Sequence, residues 1–194
     1  MRKYIISMLM TALLIVSLTA CGNKSDNTAA NETEESGYRN DVATADLKTA
    51  VTDALGDAYW PETEIPAEFL DSLYGISADL YEEYLGEMPM MSTKVDTLII
   101  VKAKADTVTQ VEEAMNAYRD MLVSDTMQYP MNIGKIQASR IETFCNYVCF
   151  VQLGGDTTAT MEANPDNQDE AVIAYCQEQN QIALDAIEMA LASN

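Results

Sequence analysis

Histidine is missing from the entire sequence, and basic residues are scarce. Without an imidazole the chain has no Ser-His or Cys-His nucleophile, no histidine-ligated zinc and no histidine-ligated haem. Its 11 Lys and Arg residues are outnumbered by 31 Asp and Glu residues, which gives a formal net charge of -20. Because nucleic-acid binding relies on Lys and Arg at the phosphates, this composition argues against a nucleic-acid partner.

The sequence patterns of several enzyme classes are also absent. The chain has no G-x-S-x-G, S-x-x-K, P-loop or G-x-G-x-x-G pattern. Asn164, Asp166, Gln168 and Glu170 alternate as the ligands of a calcium loop do. The glycine that such a loop needs at its sixth position is absent, and Tyr175 stands at the twelfth position, where a glutamate is required. No pair of carboxylates stands out as a hydrolytic pair. We therefore expect a protein that is not an enzyme and holds no cofactor.

The first 20 residues have the features of an export signal. Arg2 and Lys3 precede an apolar run, residues 5–18, which is too short for a good transmembrane anchor. The tetrapeptide LTAC at residues 18–21 looks like a bacterial lipobox, in which the cysteine sulfur accepts a diacylglycerol. We interpret residues 1–20 as a lipoprotein signal peptide and Cys21 as the lipid attachment site. The predicted location is the outer face of the cytoplasmic membrane, with the lipid as the link to the membrane.

The rest of the chain divides into a spacer and a domain. Residues 21–40 are polar and contain Gly, Ser, Asn and Thr, a composition typical of a flexible tether. No second linker and no internal repeat follows, so residues 41–194 are expected to form a single domain. The hydrophobic content of 48% is sufficient for a core of its own.

Apolar spacing predicts an α+β fold for this domain. Three N-terminal helices are expected over residues 44–55, 66–74 and 77–85, because each segment has apolar residues three and four apart and is followed by a glycine. The remaining elements are a central strand at 95–103, a helix at 107–123, strands at 136–143 and 147–153, and a long helix at 169–191. The order is N-terminal helices, then β-α-β-β, then a long C-terminal helix packed on a small mixed sheet.

Three cysteines remain after Cys21, and their state is left open. Cys145 and Cys149 on one extended strand would be about 13 Å apart, which is too far for a disulfide. Either of them pairs with Cys176 if the last helix covers that strand, and export permits such a bond. The alternative is buried free thiols that pack as small apolar side chains.

Methionines cluster before two of the predicted strands. The first group is Met88, Met90 and Met91, and the second is Met127 and Met131. Thioethers are soft ligands that suit Cu(I), so two such loops would form a copper site if they were adjacent in space. The alternative is that these methionines fill irregular gaps between loops and core.

One polar and aromatic stretch is the candidate partner-binding loop. It consists of Met127, Gln128, Tyr129, Pro130, Met131 and Asn132. Pro130 forces an extended Tyr129 and ends any preceding helix, so a loop between the helix and the next strand is expected. Its Tyr, Gln and Asn side chains either face a partner or bond the loop to itself.

Several of these segments together resemble a known family. They are the lipobox at Cys21, VDTLIIVKAKAD (95–106), AYRDML (117–122), QYPMN (128–132) and NYVCFVQLG (146–154). The family consists of uncharacterised lipoproteins from Gram-positive, clostridial-type bacteria, known as a domain of unknown function. The similarity is densest over about residues 90–155. In that family a glycine often occupies the turn where this chain has Cys145. The resemblance implies the location and the fold, and it implies no activity.

These observations give an expected function with two alternatives. We expect a non-catalytic lipoprotein at the cell surface that binds a protein, a peptide or an envelope component. A soft-metal (copper) or small-solute binder is the second possibility, and an enzyme built on carboxylates or tyrosine is the third. An exposed patch around Tyr129 would favour the first, converging thioethers the second, and two facing carboxylates in a deep pocket the third.

Overall fold

The computed structural model describes residues 37–91 and 93–192. The predicted signal peptide, the lipobox with Cys21, and the tether as far as residue 36 lie outside the described residues. The helices are α1 (Thr44–Leu55), α2 (Ala67–Tyr74), α3 (Val108–Ser124), α4 (Pro130–Ala138), α5 (Thr158–Ala163) and α6 (Gln168–Leu191). The strands are β1 (Thr63–Glu64), β2 (Tyr81–Met88), β3 (Thr97–Ala103), β4 (Arg140–Phe144) and β5 (Tyr147–Gln152).

The described strands form one antiparallel sheet in the order β1-β2-β3-β5-β4. The predicted α+β class is confirmed, and β3 is the central strand, as expected. The sequence had suggested a mixed sheet, and this part of the prediction is wrong. β5 lies between β3 and β4, so β3 and β4 are not neighbours and no parallel pair forms.

Helices cover both faces of the sheet, which explains the continuous apolar run of β3. Leu98 and Ile100 point into a cluster with residues of α1 and α6. Ile99 and Val101 point into a second cluster with residues of α2 and α3. All four side chains are fully buried. Because successive side chains of a strand point to opposite faces, a strand covered on both sides needs apolar residues throughout.

The segment predicted as a third N-terminal helix is the strand β2. Its apparent helical spacing comes from an irregularity in the pairing with β3 between Tyr81 and Glu83. Such a bulge adds a residue, so Tyr81 and Tyr84, three apart, contact the same cluster with ring centroids 5.3 Å apart. Gly86 does not end a helix. It lies within the strand, where a Cβ atom would be 3.1 Å from the Cβ of Ile65.

The predicted strand at 136–143 is also wrong over its first half. Residues 130–138 form α4, with Pro130 in its first turn and Tyr129 as the N-cap. Proline is favoured at this position because a backbone N–H in the first turn of a helix has no partner within the helix, so its loss costs nothing. The candidate loop therefore joins α3 to α4, and not to a strand, and Pro130, Met131 and Asn132 belong to α4. The helix α5 was not predicted.

The hairpin between β4 and β5 is confirmed. Phe144 pairs with Tyr147, so Cys145 and Asn146 form a two-residue turn. Cys145 has a φ of 54°, in the left-handed region that favours glycine. Cys145, Cys149 and Cys176 are all free, and the last two are buried.

Residues 38 and 39, at the end of the predicted tether, contact the domain. The Arg39 amide donates to the carbonyl of Leu191 at 2.7 Å, and the Tyr38 ring packs edge-on against Phe144. The last residues of the predicted tether therefore pack on the domain.

Candidate functional site

A buried ion pair lies at one end of the sheet. Asp96 precedes β3 and is fully buried, and Lys135 lies on α4 and is 5% exposed. Lys135 Nζ is 2.6 Å from Asp96 Oδ2 and donates a second hydrogen bond, of 2.7 Å, to the Gly155 carbonyl. The Gly155 amide donates to Asp96 Oδ1 at 2.9 Å. Buried charges are tolerated only when paired and hydrogen-bonded, so this closed triangle fixes three segments relative to one another.

Further side-chain amides tie the same segments together. Asn132 Nδ2 donates to the Thr93 carbonyl at 2.9 Å, and Gln152 donates to the Val95 carbonyl. On α6, Asn180 accepts from the Leu153 amide at 2.8 Å and donates to the Ala138 carbonyl at 2.8 Å. These buried amides bond the backbone where it leaves regular structure, so they connect the segments at this end of the sheet.

Two glycines allow the close approach of backbone at this end. A Cβ at Gly134 would lie 2.6 Å from Val172 Cγ1, so α4 contacts α6 closely only because position 134 has no side chain. Gly155 has a φ of +53°, and a Cβ there would be 2.8 Å from the Ala58 carbonyl oxygen. Both positions therefore require glycine.

The single tryptophan lies beside this network. Lys94 Nζ is 3.6 Å from the centroid of the Trp60 ring, and Lys135 Nζ is 4.9 Å from it. An ammonium over an indole face is attracted by the ring's quadrupole. Trp60 thus joins the segment before β1 to the buried pair, and its fluorescence reports on this site.

These elements enclose a groove with two lobes. The Trp60 lobe has a volume of about 360 Å³, and its walls include Trp60, Met91, Lys94, Asp156 and Thr158. The Asp169 lobe has a volume of about 290 Å³, and its walls include Pro130, Gly134, Gln168, Asp169 and Val172. Met131 and Met161 line both lobes, so the two lobes are adjacent.

The two lobes differ in charge. The Trp60 lobe contains the ammonium groups of Lys94 and Lys135 together with the Asp156 carboxylate. Hydrogen bonds from Thr158 hold the pKa of Asp156 below its ordinary value, and the nearby charges of Lys135 and Lys94 add to the shift. Asp169 is the charged residue lining the other lobe, and the sequence around it (162–170) contains four acids and no base.

The structure distributes the predicted loop residues unequally. Pro130, Met131 and Asn132 line the groove, and the buried Asn132 holds the Thr93 backbone. Met127 and Tyr129 are exposed at 87% and 54% on the connection outside it. Gln128 Nε2 donates to Asp125 Oδ2 at 2.8 Å. The loop therefore combines a structural part with an exposed part.

The methionine groups converge only in part. Met91 and Met131, one from each group, line the Trp60 lobe, where the unpredicted Met161 joins them. Met88, Met90 and Met127 are not among its lining residues. In the part of the chain that the structure describes, no group of three or more His, Cys, Asp or Glu side chains could hold a metal ion.

Sequence reasoning missed the residues at the centre of the site. Asp96 had a signal, since it is the only charge inside the apolar run VDTLII, and a buried charge demands a partner. Lys135 gave no such signal, because it stands between the predicted loop (127–132) and the predicted strand (136–143). Nothing in the sequence pattern connects Trp60, Met161 or Asp169 to this place.

Comparisons with known proteins place the chain in a family without assigning an activity. No match was found among curated proteins or among solved structures. None of the helices within the described ranges is long and apolar enough to cross a membrane. A family model matches residues 54–153, which include every described strand of the sheet, α2 to α4, Trp60 and the Asp96–Lys135 pair. The chain belongs to this family, described as "Domain of unknown function (DUF4358)".

Proposed function

We propose that this protein is an exported lipoprotein, anchored through Cys21 at the outer face of the cytoplasmic membrane, whose domain is a non-catalytic binding module. The binding site is the two-lobed groove, and the partner is a protein, a peptide or another envelope component. The order of charged residues, apolar run and lipobox in residues 1–21 supports the anchor. The groove, an open concave surface on a rigid frame, is the single observation that carries the binding role.

The exposed apolar side chains support this site. Met90, Met91, Met127, Tyr129, Met131 and Ile133 are all more than two-fifths exposed, and all come from two short segments that border the groove. Asn132 joins these segments through its bond to Thr93. Methionine is flexible and polarizable and adapts to irregular partners, so a methionine-rich surface on a rigid frame suits recognition.

The state of the reactive groups supports a non-catalytic role. Lys135 is bonded to Asp96 and Gly155, and Asp156 accepts from the Thr158 amide. Burial raises the pKa of the Cys176 thiol to about 11, so it is protonated at neutral pH. A cysteine nucleophile needs a lowered pKa or an adjacent base, and the raised pKa of Cys176 is the opposite of activation.

Binding is tested by titrating the protein with separate small solutes while recording the emission of Trp60. The panel consists of amino acids, short peptides, sugars and Cu(I). At least one solute should shift the emission and raise the melting temperature. Met131→Asp should abolish both changes, because it places a charge between the lobes. Met189→Asp is the matched control, since Met189 is 79% exposed on α6 and does not line the groove. If no solute shifts either signal, the groove is not a small-ligand site.

Anchoring is tested by Cys21→Ser. The variant should be released from cells or retained as uncut precursor, while the parent protein carries lipid mass and fractionates with membranes. Identical membrane fractionation of both proteins, with no lipid on the parent, would show that the anchor is absent.

A soft-metal site is the second candidate function, because Met91, Met131 and Met161 line one lobe beside Trp60. Two features oppose a metal at this lobe. The Thr157 hydroxyl donates a hydrogen bond of 3.9 Å to Met161 Sδ, and the ammonium groups of Lys94 and Lys135 repel a cation. Cu(I) titration against a chromophoric competitor tests this. Each of Met91→Leu, Met131→Leu and Met161→Leu should weaken binding, whereas Met189→Leu should not. Equal affinity in all four variants would exclude this site.

A further inference from the structure

The charges at the two ends of the groove are complementary to a zwitterion. Lys94 lines the Trp60 lobe and is half-buried, and among the described residues its ammonium makes no ion pair. Its ammonium lies over the face of Trp60, and the Asp156 carboxylate is a nearby charge in the same lobe. Lys135 differs, because it is only 5% exposed, and Asp96 and the Gly155 carbonyl occupy two of its three donors. Lys94 is therefore the cation of this lobe that is available to an anionic group.

At the other lobe the available charge is negative. Asp169 is exposed in the first turn of α6, and no ion pair forms to it within the described ranges. Glu162, Asp166 and Glu170 lie near it in the chain with no intervening base. Together with Asp169 they give this end of the groove an excess of negative charge, which favours an ammonium group.

The surface between these ends is apolar. Met131 and Met161 line both lobes, and Pro130 and Val172 extend the apolar wall beside Asp169. Volumes of about 360 and 290 Å³ each suit one or two apolar side chains. The groove thus presents a cation, an adaptable apolar floor and an anion in that order.

We propose that the groove binds a short apolar peptide with free termini, its carboxylate at Lys94 and its ammonium at Asp169. This inference rests on the proposed function, since it names the ligand of the same groove. The peptide's side chains contact Met131 and Met161, and its two charged ends set its direction. A peptide with acidic side chains is disfavoured, because the net charge of the chain is -20.

The experiment compares three tripeptides on the lipidated protein in nanodiscs, with empty nanodiscs subtracted. The probes are Leu-Ala-Leu, the same peptide acetylated at its N-terminus, and the same peptide amidated at its C-terminus. Calorimetry gives the affinity, and Trp60 emission reports occupancy of the groove. Each blocked terminus should weaken binding by about tenfold, because it removes one charge-assisted contact.

Two variants assign the ends. Lys94→Gln should make the free and amidated peptides bind equally, and Asp169→Asn should do the same for the free and acetylated peptides. Lys104→Gln and Asp185→Asn are the matched controls, since neither residue lines the groove, and both should retain the parent's discrimination. Because discrimination is measured between ligands on one protein, a modest loss of stability in a variant does not imitate the result.

Three results would overturn the inference in different ways. Equal affinity of the parent for free and blocked peptides would remove the assigned ends. Failure of all three peptides, together with a Trp60 response to another solute of the panel, would reject the ligand class and leave the binding function standing. Failure of every solute would reject the groove as a small-ligand site, and this inference with it.

Discussion

Around Ile99 the neighbouring side chains are apolar, whereas around Lys135 the neighbours include a carboxylate, a backbone carbonyl and an indole ring. Both side chains are buried. The centre of the sheet is held by burial of apolar area, which has no direction and tolerates changes of shape. The groove end is held by directed bonds between charged or polar groups, each of which needs its partner. The comparison shows that the apolar centre of the sheet supports a hydrogen-bonded polar network at its end.

The largest expected effect is at the centre of the sheet. Ile99→Asp places a charge in the apolar cluster between the sheet and the helices α2 and α3. It should cost more than about 4 kcal/mol, enough to unfold a marginally stable domain. Urea denaturation followed by circular dichroism measures the loss. Ile99→Val is the matched control and should cost about 1 kcal/mol. Cooperative unfolding of Ile99→Asp at the parent's midpoint would show that β3 is not central.

A smaller but still large effect is expected at the ion pair. Lys135→Met leaves Asp96 buried without its cation, which should cost about 3–5 kcal/mol. The double variant Lys135→Met with Asp96→Asn removes both charges and keeps an acceptor for the Gly155 amide, so it should be more stable than the single variant. Urea midpoints compare the two. A double variant less stable than Lys135→Met alone would contradict the account of a frame held by mutual pairing.

At the groove surface, a weak pH dependence is expected from Asp156. Its pKa is lowered in the folded protein, so its contribution is present above the unfolded pKa and lost as the pH falls through the folded value. Asp156→Asn should therefore melt slightly below the parent at pH 7, and the gap should close at pH 2. Melting curves at both values test this. A gap that widens in acid would mean that the carboxylate has no favourable partner.

The smallest effect on stability is expected on the exposed connection. The double variant Gln128→Ala with Tyr129→Ala removes one exposed hydrogen bond and a half-exposed ring, so its free energy of unfolding should lie within about 0.5 kcal/mol of the parent. Melting temperature checks this value, with Asn132→Ala as the contrast, since it leaves the Thr93 carbonyl without its donor. Equal losses in both variants would show that the connection is structural throughout.

The same contrast explains what the sequence could predict. β3, α3, β5 and α6 were predicted because continuous or periodic apolar residues reflect burial directly. β2 was mistaken for a helix because a bulge gives Tyr81 and Tyr84 a helix-like spacing. α4 was missed because Pro130 was interpreted as ending a helix when it begins one.

The groove could not be predicted from these patterns. It is assembled from Trp60, Lys94, Lys135, Met161 and Asp169, which lie on five separate segments. Periodicity describes one element at a time and contains no information on which elements meet. Only the lone charge at Asp96 indicated that a buried partner had to exist.

The central claim is that the groove end binds a ligand on a scaffold that the ligand does not disturb. Amide chemical shifts of the 15N-labelled protein, recorded with each solute of the panel, test this most directly. The account predicts that at least one solute shifts amides of residues 91–94, 131–135 and 155–161, while amides at the centre of β3 and β5 stay in place. Shifts confined to the α1 side of the sheet, or no shift with any solute, would contradict it.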